Sequence, residues 1–185
     1  MTNTPAGISG SFLGRLTGAA LLRASTYEEV EADRGATGQA VAVVALSSLA
    51  AGIGARGLGA GTVGDAADVA GVALLAWVAW AWVVYAIGAL LMPAPQTRAD
   101  VGELLRTTGF ATAPGLIRVL GVWPGLAAPA FAISAIWMLL TMIVAVRQAL
   151  EYTTTRRAVA VCVAGWALAL AIAVAFGFFF GPRVS

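Results

Sequence analysis

The chain has 185 residues, of which 60% are hydrophobic and 11% are charged, and its formal net charge is +2. Because soluble proteins carry about 25% charged residues, this composition excludes an ordinary soluble domain and indicates an integral membrane protein. The 11 basic residues are all arginines spread along the chain, so they form no basic patch and we expect no nucleic-acid partner.

The first 38 residues are predicted to be a cytoplasmic lead-in that contains a short amphipathic helix. Its apolar residues recur on one helical face while Ser11, Arg15 and Thr17 lie elsewhere, which is typical of a helix in the membrane interface. A tail without a helix is the alternative. The residues of the apolar face are Ile8, Phe12, Leu13, Leu16 and Ala20.

A second short helix is predicted over residues 26–34. Two overlapping pairs, Ser25 with Glu28 and Thr26 with Glu29, have the capping-box spacing that marks the start of a helix. The acidic side chains of this helix are interpreted as a solvated face that could receive a basic partner. They are Glu28, Glu29, Glu31 and Asp33.

Residues 39–185 are predicted to form a membrane domain with five apolar segments. Three of these segments reach the roughly 20 residues that a transmembrane helix needs. The first is shorter but is preceded by uncharged residues that can extend it, and the third is broken in the middle. The fold class is therefore an all-α bundle of transmembrane helices. The segments are 40–55, 69–92, 104–123, 126–146 and 158–180.

The arginines indicate how often the chain crosses the membrane. With five crossings, eight arginines share the side of the N-terminus and only Arg56, Arg118 and Arg183 lie opposite. The positive-inside rule then places the N-terminus in the cytoplasm and the C-terminus outside. With four crossings the last cytoplasmic arginines would change sides and weaken this bias. We therefore predict five. The abundance of Ala, Gly and Val suggests a prokaryotic protein of the cytoplasmic (inner) membrane. The eight arginines on the side of the N-terminus are Arg15, Arg23, Arg34, Arg98, Arg106, Arg147, Arg156 and Arg157.

The third segment is predicted to be a helix broken at Pro114. Lipid offers no partners for backbone groups freed by proline, so such a segment must be buried in protein or line a wet cavity. Its charges have a simple interpretation, in which Arg106 and Arg118 snorkel to opposite interfaces and Glu103 pairs with Arg106. The alternative is a polar cleft beside the kink. Its candidate residues are Glu103, Arg106, Thr108, Gly109, Phe110, Thr112, Pro114 and Arg118.

Two ridges of small residues recur at every fourth position and predict close helix packing. The first ridge is Ser47, Ala51, Ala55 and Gly59. Packing within one chain and contact between two copies in a homo-oligomer are both compatible with this pattern. The second ridge is Gly165, Ala169, Ala173, Gly177 and Gly181.

Catalytic chemistry has little support in the sequence. There is no histidine, and no predicted span carries a central pair of acids. Asp65 and Asp68 do not continue into a recognisable metal motif, and we predict that Asp68 caps the second span. The single cysteine, Cys162, excludes an internal disulfide. No catalytic residue, metal ligand or cofactor is therefore predicted.

The order of these features resembles the Yip family of Ypt/Rab-interacting membrane proteins. Gly109, Phe110 and Pro114 resemble its Gly-Tyr-Ser-Leu-Xaa-Pro signature, with Phe in place of Tyr. Trp137 and Arg147 resemble its fourth span. The resemblance implies five crossings and a cytoplasmic N-terminus. Eukaryotic members are linked to Rab GTPases, but their Asp-Leu-Tyr-Gly-Pro motif is not found in this sequence.

Two functions are therefore expected. The first is a non-enzymatic membrane protein of the Yip type that organises membrane or binds a protein partner at its cytoplasmic face. The alternative is a small transporter, channel or lipid-handling protein with a polar cleft along the broken segment. The alternative predicts a water-filled cavity that reaches Thr108 or Thr112, and both functions involve membrane lipids.

Overall fold

The computed structural model describes residues 10–59 and 63–180, and at 63–67, 69, 173 and 175–180 it describes the backbone alone. Every regular element in these ranges is helical, which confirms the predicted all-α class. One 3₁₀ turn (Arg56–Leu58) extends α3, and a π-helix (Ala86–Leu91) extends α4. The main elements are α1 (Phe12–Ala20), α2 (Ala24–Ala32), α3 (Ala36–Ala55), α4 (Val63–Tyr85), α5 (Val101–Phe110), a 3₁₀ segment (Ala113–Val122), α6 (Ala127–Ala149) and α7 (Thr155–Phe180).

Four of the described helices are long and apolar enough to cross a membrane. They correspond to the first, second, fourth and fifth predicted segments, so the chain has the elements of a helical membrane bundle. Their spanning stretches are Ala36–Leu58, Ala70–Leu91, Ala127–Ala149 and Thr155–Ile172.

The third predicted segment is not one helix with a kink. It consists of α5 and the 3₁₀ segment, ten residues each, joined at Ala111 and Thr112. The α-helix ends at Phe110, four residues before Pro114, and the proline lies in the first turn of the 3₁₀ segment, where its missing N–H costs nothing. The segment is therefore broken at Ala111 and Thr112 and not at Pro114, and a change of helix type replaces the predicted kink.

The 3₁₀ segment runs parallel to α3 and in close contact with it. A Cβ added to Gly109 would lie 2.8 Å from the Cβ of Ala40, and Gly115 similarly faces the Ser47 side chain without room for a Cβ. Farther along, Gly121 contacts the backbone of Gly54. Seven α-helical residues rise about 10.5 Å and six 3₁₀ residues about 12 Å. The two rises are similar. Gly115 and Gly121, six residues apart, therefore lie beside Ser47 and Gly54 of α3, which are seven residues apart.

The broken segment also packs against α6, which runs in the opposite direction. The hydroxyl of Thr141 donates to the carbonyl oxygen of Ala111 (2.7 Å), and Nε of Arg118 donates to Oγ of Ser134 (2.7 Å). Together, α3, α4 and α6 enclose the broken segment on several sides. It is therefore the centre of the bundle.

The loops gather at two ends of this bundle. At the lead-in end, defined by α2 and residues 96–103 and 147–153, the hydroxyl of Thr97 donates to the carbonyl oxygen of Leu150 (2.9 Å). At the far end, defined by residues 54–58 and 121–127, Gly57 contacts the backbone of Gly121. The chain thus passes from one end to the other between residues 101 and 122.

The lead-in differs from the prediction in which side chains face the protein. In α1, Phe12 and Leu16 pack on the core, but Leu13 is 68% exposed and Arg15 is buried. Arg15 turns inward because Glu29 (2.9 Å) and Asp33 (2.7 Å) bind its guanidinium. Of the other two residues of the predicted face, Ala20 packs on the core and Ile8 lies outside the described residues.

Helix starts were predicted at the wrong residues. The N-cap of α2 is Arg23, which makes no side-chain cap, so neither predicted capping box forms. The capping box of the described chain lies at α5, where Asp100 and Glu103 bond each other's backbone N–H. The N-terminal end of α4 is also earlier than predicted. Since α4 begins at Val63, Asp68 lies inside the helix and does not cap it.

The residues of the two predicted small-residue ridges differ in their surroundings. A Cβ on Gly165 would lie 2.9 Å from the indole of Trp80, so α7 approaches α4 closely at that point. In α3, Ser47 makes a close contact, but Gly59 lies beyond the helix with a φ of 77°. The backbone of Ala173 and Gly177 lies in α7, whereas Gly181 is outside the described residues. A contact between two copies stays a prediction.

Candidate functional site

The eight residues predicted to form one polar cleft lie in three different places. Glu103 and Arg106 are at the lead-in end, Thr112 and Arg118 line a cavity, and the others are packed into the core. The α-helix α5 and the 3₁₀ segment have different numbers of residues per turn. Residues that one unbroken helix would place on the same face therefore point in different directions. The core group is Thr108, Gly109, Phe110 and Pro114.

The core group has an architectural role. Phe110 and Thr108 are fully buried. The Thr108 hydroxyl donates to the carbonyl oxygen of Leu104 and accepts from the indole N–H of Trp77 (3.1 Å). Both of its hydrogen-bonding functions are therefore satisfied within the protein. Thr108 is not available to a solute.

Arg106 fastens α2 to the bundle instead of pairing with Glu103. Its guanidinium is buried, with Nε 3.0 Å from the carbonyl oxygens of both Val30 and Glu31 at the end of α2. A cation is favourable at the C-terminus of a helix, where carbonyl groups lack partners. At the turn between α1 and α2, the indole N–H of Trp137 donates to the carbonyl oxygen of Ala20 (2.7 Å). The α1–α2 hairpin is thus anchored at both of its ends.

An acid-lined cleft of about 520 Å³ lies at the lead-in end. It is formed by α2, α5 and the loop between α6 and α7. Arg147 lies among the acids, and the amide of Gln148 donates to the carboxylate of Glu28 (2.8 Å). The acidic residues of this cleft are Glu28, Glu31, Glu103 and Glu151.

The crowding of acids in this cleft changes the titration of Glu31. Its pKa is raised from 4.5 to about 7, mainly because the carboxyl is partly buried and also because Glu103 and Glu151 are negative. Arg106 acts in the opposite direction. At the C-cap of α2, the pKa of Asp33 is lowered by hydrogen bonds from Arg15 and from the backbone of Gly35.

A cavity of about 660 Å³ lies between α3, α4, α6, α7 and the 3₁₀ segment. Its wall reaches Thr112 and Arg118 but is mostly apolar, whereas the predicted cleft is polar and water-filled. A second cavity, of about 520 Å³, adjoins it on α6 and shares Trp80 and Arg118 with the first. The polar residues of the first cavity are Ser47, Ser48, Thr112 and Arg118.

The far half of α7 leaves this cavity open. The half of α7 nearer the lead-in end packs on the bundle through Ala158, Val161 and Cys162, which are buried. Beyond Gly165, each residue from 166 to 172 is exposed, although Ala169 and Ile172 belong to the cavity wall. A long molecule could therefore enter between α7 and its neighbours.

Arg118 is held in a defined orientation at this cavity. Besides the hydrogen bond to Ser134, its guanidinium carbon lies 5.5 Å from the ring centre of Phe131. Ser134 is fully buried, and its hydroxyl donates to the carbonyl oxygen of Phe131 (3.0 Å). The sequence analysis did not identify Ser134 or Trp80. A serine facing an arginine across two helices has no signal in a single sequence.

Among the described side chains, no group of three or more Cys, Asp or Glu residues is arranged to hold a metal ion. Comparison of the chain with protein-family models, with curated proteins and with solved structures finds no match. Function must therefore be argued from the cleft and the cavity.

Proposed function

We propose that the chain is a five-crossing membrane protein of the Yip type that binds a protein partner and catalyses no reaction. The observation that carries this proposal is the anchored α1–α2 hairpin with its acid-lined cleft. Arg106 and Trp137 hold the hairpin on the bundle, so the cleft is formed before any partner arrives. A preformed surface loses less entropy when it binds.

The length and direction of the broken segment support the proposal of five crossings. Ten α-helical residues rise about 15 Å and ten 3₁₀ residues about 20 Å, and their sum exceeds the roughly 30 Å of the bilayer core. The position between α3 and α6 supports the same count, because neighbouring helices shield its backbone from lipid. Together with the arginine distribution, this count supports the proposal that the lead-in end faces the cytoplasm.

The partner's contacting segment is basic. The cleft carries four carboxylates and one arginine, so a segment rich in Lys or Arg would be attracted to it. Eukaryotic members of the resembling family are linked to Rab GTPases. We do not extend that link to this chain.

Site-specific crosslinking in native cells tests this proposal. A photoreactive amino acid in place of Glu151 should give one discrete protein adduct, and Glu28→Gln in the same chain should reduce it. The matched control places the photoreactive group at Trp123, which is exposed at the far end. The proposal is wrong if no discrete adduct forms at residue 151. It is also wrong if liposomes with the protein pass solutes and Arg118→Ala abolishes that flux.

A second candidate function is lipid handling along the broken segment. The cavity at Thr112 and Arg118 favours it, because the cavity is open beside α7 and lies within the apolar part of the bundle. This function and partner binding use different ends of the protein. They do not exclude each other.

A further inference from the structure

The guanidinium of Arg118 has one nitrogen in a hydrogen bond and two nitrogens without a partner among the described residues. Nε is bound by Ser134, whereas neither Nη group donates a hydrogen bond to any described residue. No carboxylate among the described side chains lies within 4.0 Å of it. A cation at membrane depth normally pairs with an anion or with carbonyl groups, because leaving it unpaired is costly. Arg118 therefore lacks an anionic partner from the described protein.

The other polar groups of the cavity wall do not provide one. The hydroxyl of Ser48 donates to the carbonyl oxygen of Val44, and the hydroxyl of Thr112 donates to the carbonyl oxygen of Gly109. The indole N–H of Trp80 is buried and has no acceptor among the described residues. The unpartnered groups of Arg118 and Trp80 are donors, and the Ser47 hydroxyl carries no charge that could serve as the anionic partner. A ligand that complements this wall must bring acceptor oxygens.

The remainder of the wall suits a hydrocarbon chain. The volume of the cavity, about 660 Å³, lies within the range of ligand pockets, roughly 300–1,000 Å³. The unbranched side chains Met138 and Met142 lie where the two cavities meet, and such side chains adapt to irregular apolar ligands. The opening along the exposed half of α7 leads toward lipid. The bilayer is thus the nearest source of a ligand with both an apolar chain and an anionic group.

We propose that this cavity binds an anionic membrane lipid. The negatively charged headgroup oxygens accept hydrogen bonds from the two Nη groups of Arg118, and an acyl chain lies between α4, α6 and α7. Phe131 and Ser134 are positioning residues that hold the guanidinium toward the cavity. This assignment rests on the second candidate function, lipid handling, and names its ligand class.

Lipid titration of the delipidated protein, followed by native mass spectrometry, tests the headgroup. Phosphatidylglycerol and phosphatidylcholine with identical chains are compared. The wild-type protein should bind phosphatidylglycerol more tightly. Arg118→Gln should weaken phosphatidylglycerol binding about tenfold, because it removes charge-assisted hydrogen bonds, and weaken phosphatidylcholine binding much less, because the choline cation already offsets the phosphate charge. Arg56→Gln, at an exposed arginine near the same end, is the matched control and should change neither affinity.

A second pair of variants tests the chain site and does not depend on Arg118. Ala169→Phe fills the cavity and should weaken both lipids, whereas Ala167→Phe, exposed on the same helix and outside the cavity wall, should weaken neither. If Ala169→Phe weakens both lipids but Arg118→Gln changes neither, lipid handling stands and the anionic ligand class is overturned. If neither variant changes binding, lipid handling and the anionic ligand class are both overturned. If inorganic phosphate alone displaces the bound lipid, the proposal that the ligand comes from the membrane is overturned.

Discussion

Gly115 and Ser47 meet where the 3₁₀ segment crosses the middle of α3. The backbone of the segment approaches so closely that any Cβ on Gly115 would collide with the Ser47 hydroxyl. Gly109 and Gly121 make similar approaches above and below. This row of glycines explains at the residue scale why the segment lies at the centre of the bundle. Larger residues would push it away from α3.

Gly115→Ala should destabilise the protein by about 1–3 kcal/mol, the usual cost of overpacking a well-packed core. Adding Ser47→Ala should recover part of this loss, because it removes the colliding hydroxyl and leaves a tolerable contact. Thermal unfolding in detergent measures both effects. The control is Gly71→Ala, since no atom lies within 4 Å of a Cβ at that position. Equal melting temperatures for Gly115→Ala and Gly71→Ala would contradict the prediction.

Glu31 should make the stability of the lead-in end depend on pH. Its folded-state pKa of about 7 is above its ordinary value of 4.5, so the folded protein holds this proton more tightly than the unfolded chain. The stabilisation is complete below about pH 4.5 and is lost as the pH rises through about 7. We expect the melting temperature to fall between about pH 5 and pH 8. Glu31→Gln should flatten this fall, whereas Asp68→Asn, an exposed carboxyl on α4, should keep it. An unchanged slope in Glu31→Gln would refute the assignment.

At the scale of elements, long apolar runs predicted the four long helices within a few residues. They could not predict the 3₁₀ segment, because a run of apolar residues does not indicate which helix type it adopts. The spacing of Gly115 and Gly121, which both lie in the 3₁₀ segment, does carry a signal. Six residues are two full turns of a 3₁₀ helix but not of an α-helix. Ser134, Trp80 and the carbonyl groups bound by Arg106 depend on contacts between distant segments, which no single-sequence pattern contains.

The α1–α2 hairpin should loosen as a unit when its anchor is removed. Arg106→Ala leaves the carbonyl oxygens of Val30 and Glu31 without their donor, and such a loss costs about 1–3 kcal/mol at a buried site. Hydrogen–deuterium exchange should become faster in residues 12–32 and stay unchanged in α6. Arg98→Ala, at an exposed arginine of the same end, should have no effect. Uniformly faster exchange in all helices would mean that Arg106 supports the whole bundle and not the hairpin.

At the scale of the whole molecule, the two ends have different chemistry. The lead-in end carries the acid-lined cleft and the hairpin, and the far end carries Arg118 and the open half of α7. The broken segment joins them, since Arg106 lies at one end of it and Arg118 near the other. The broken segment therefore connects the proposed partner site with the proposed lipid site.

The number of crossings can be decided with three single-cysteine variants in a Cys162→Ser background. Cysteines replace Arg98, Pro124 and Thr154, which are all exposed, and a membrane-impermeant thiol reagent is applied to intact cells. If the broken segment crosses, residues 98 and 154 lie on the same side and residue 124 lies opposite. If it does not cross, residues 98 and 124 share a side and residue 154 lies opposite. We expect labelling from outside at residue 124 alone, because the lead-in end carries most of the arginines and the positive-inside rule places it in the cytoplasm. Labelling at 98 and 154 but not at 124 would retain five crossings and reverse the orientation.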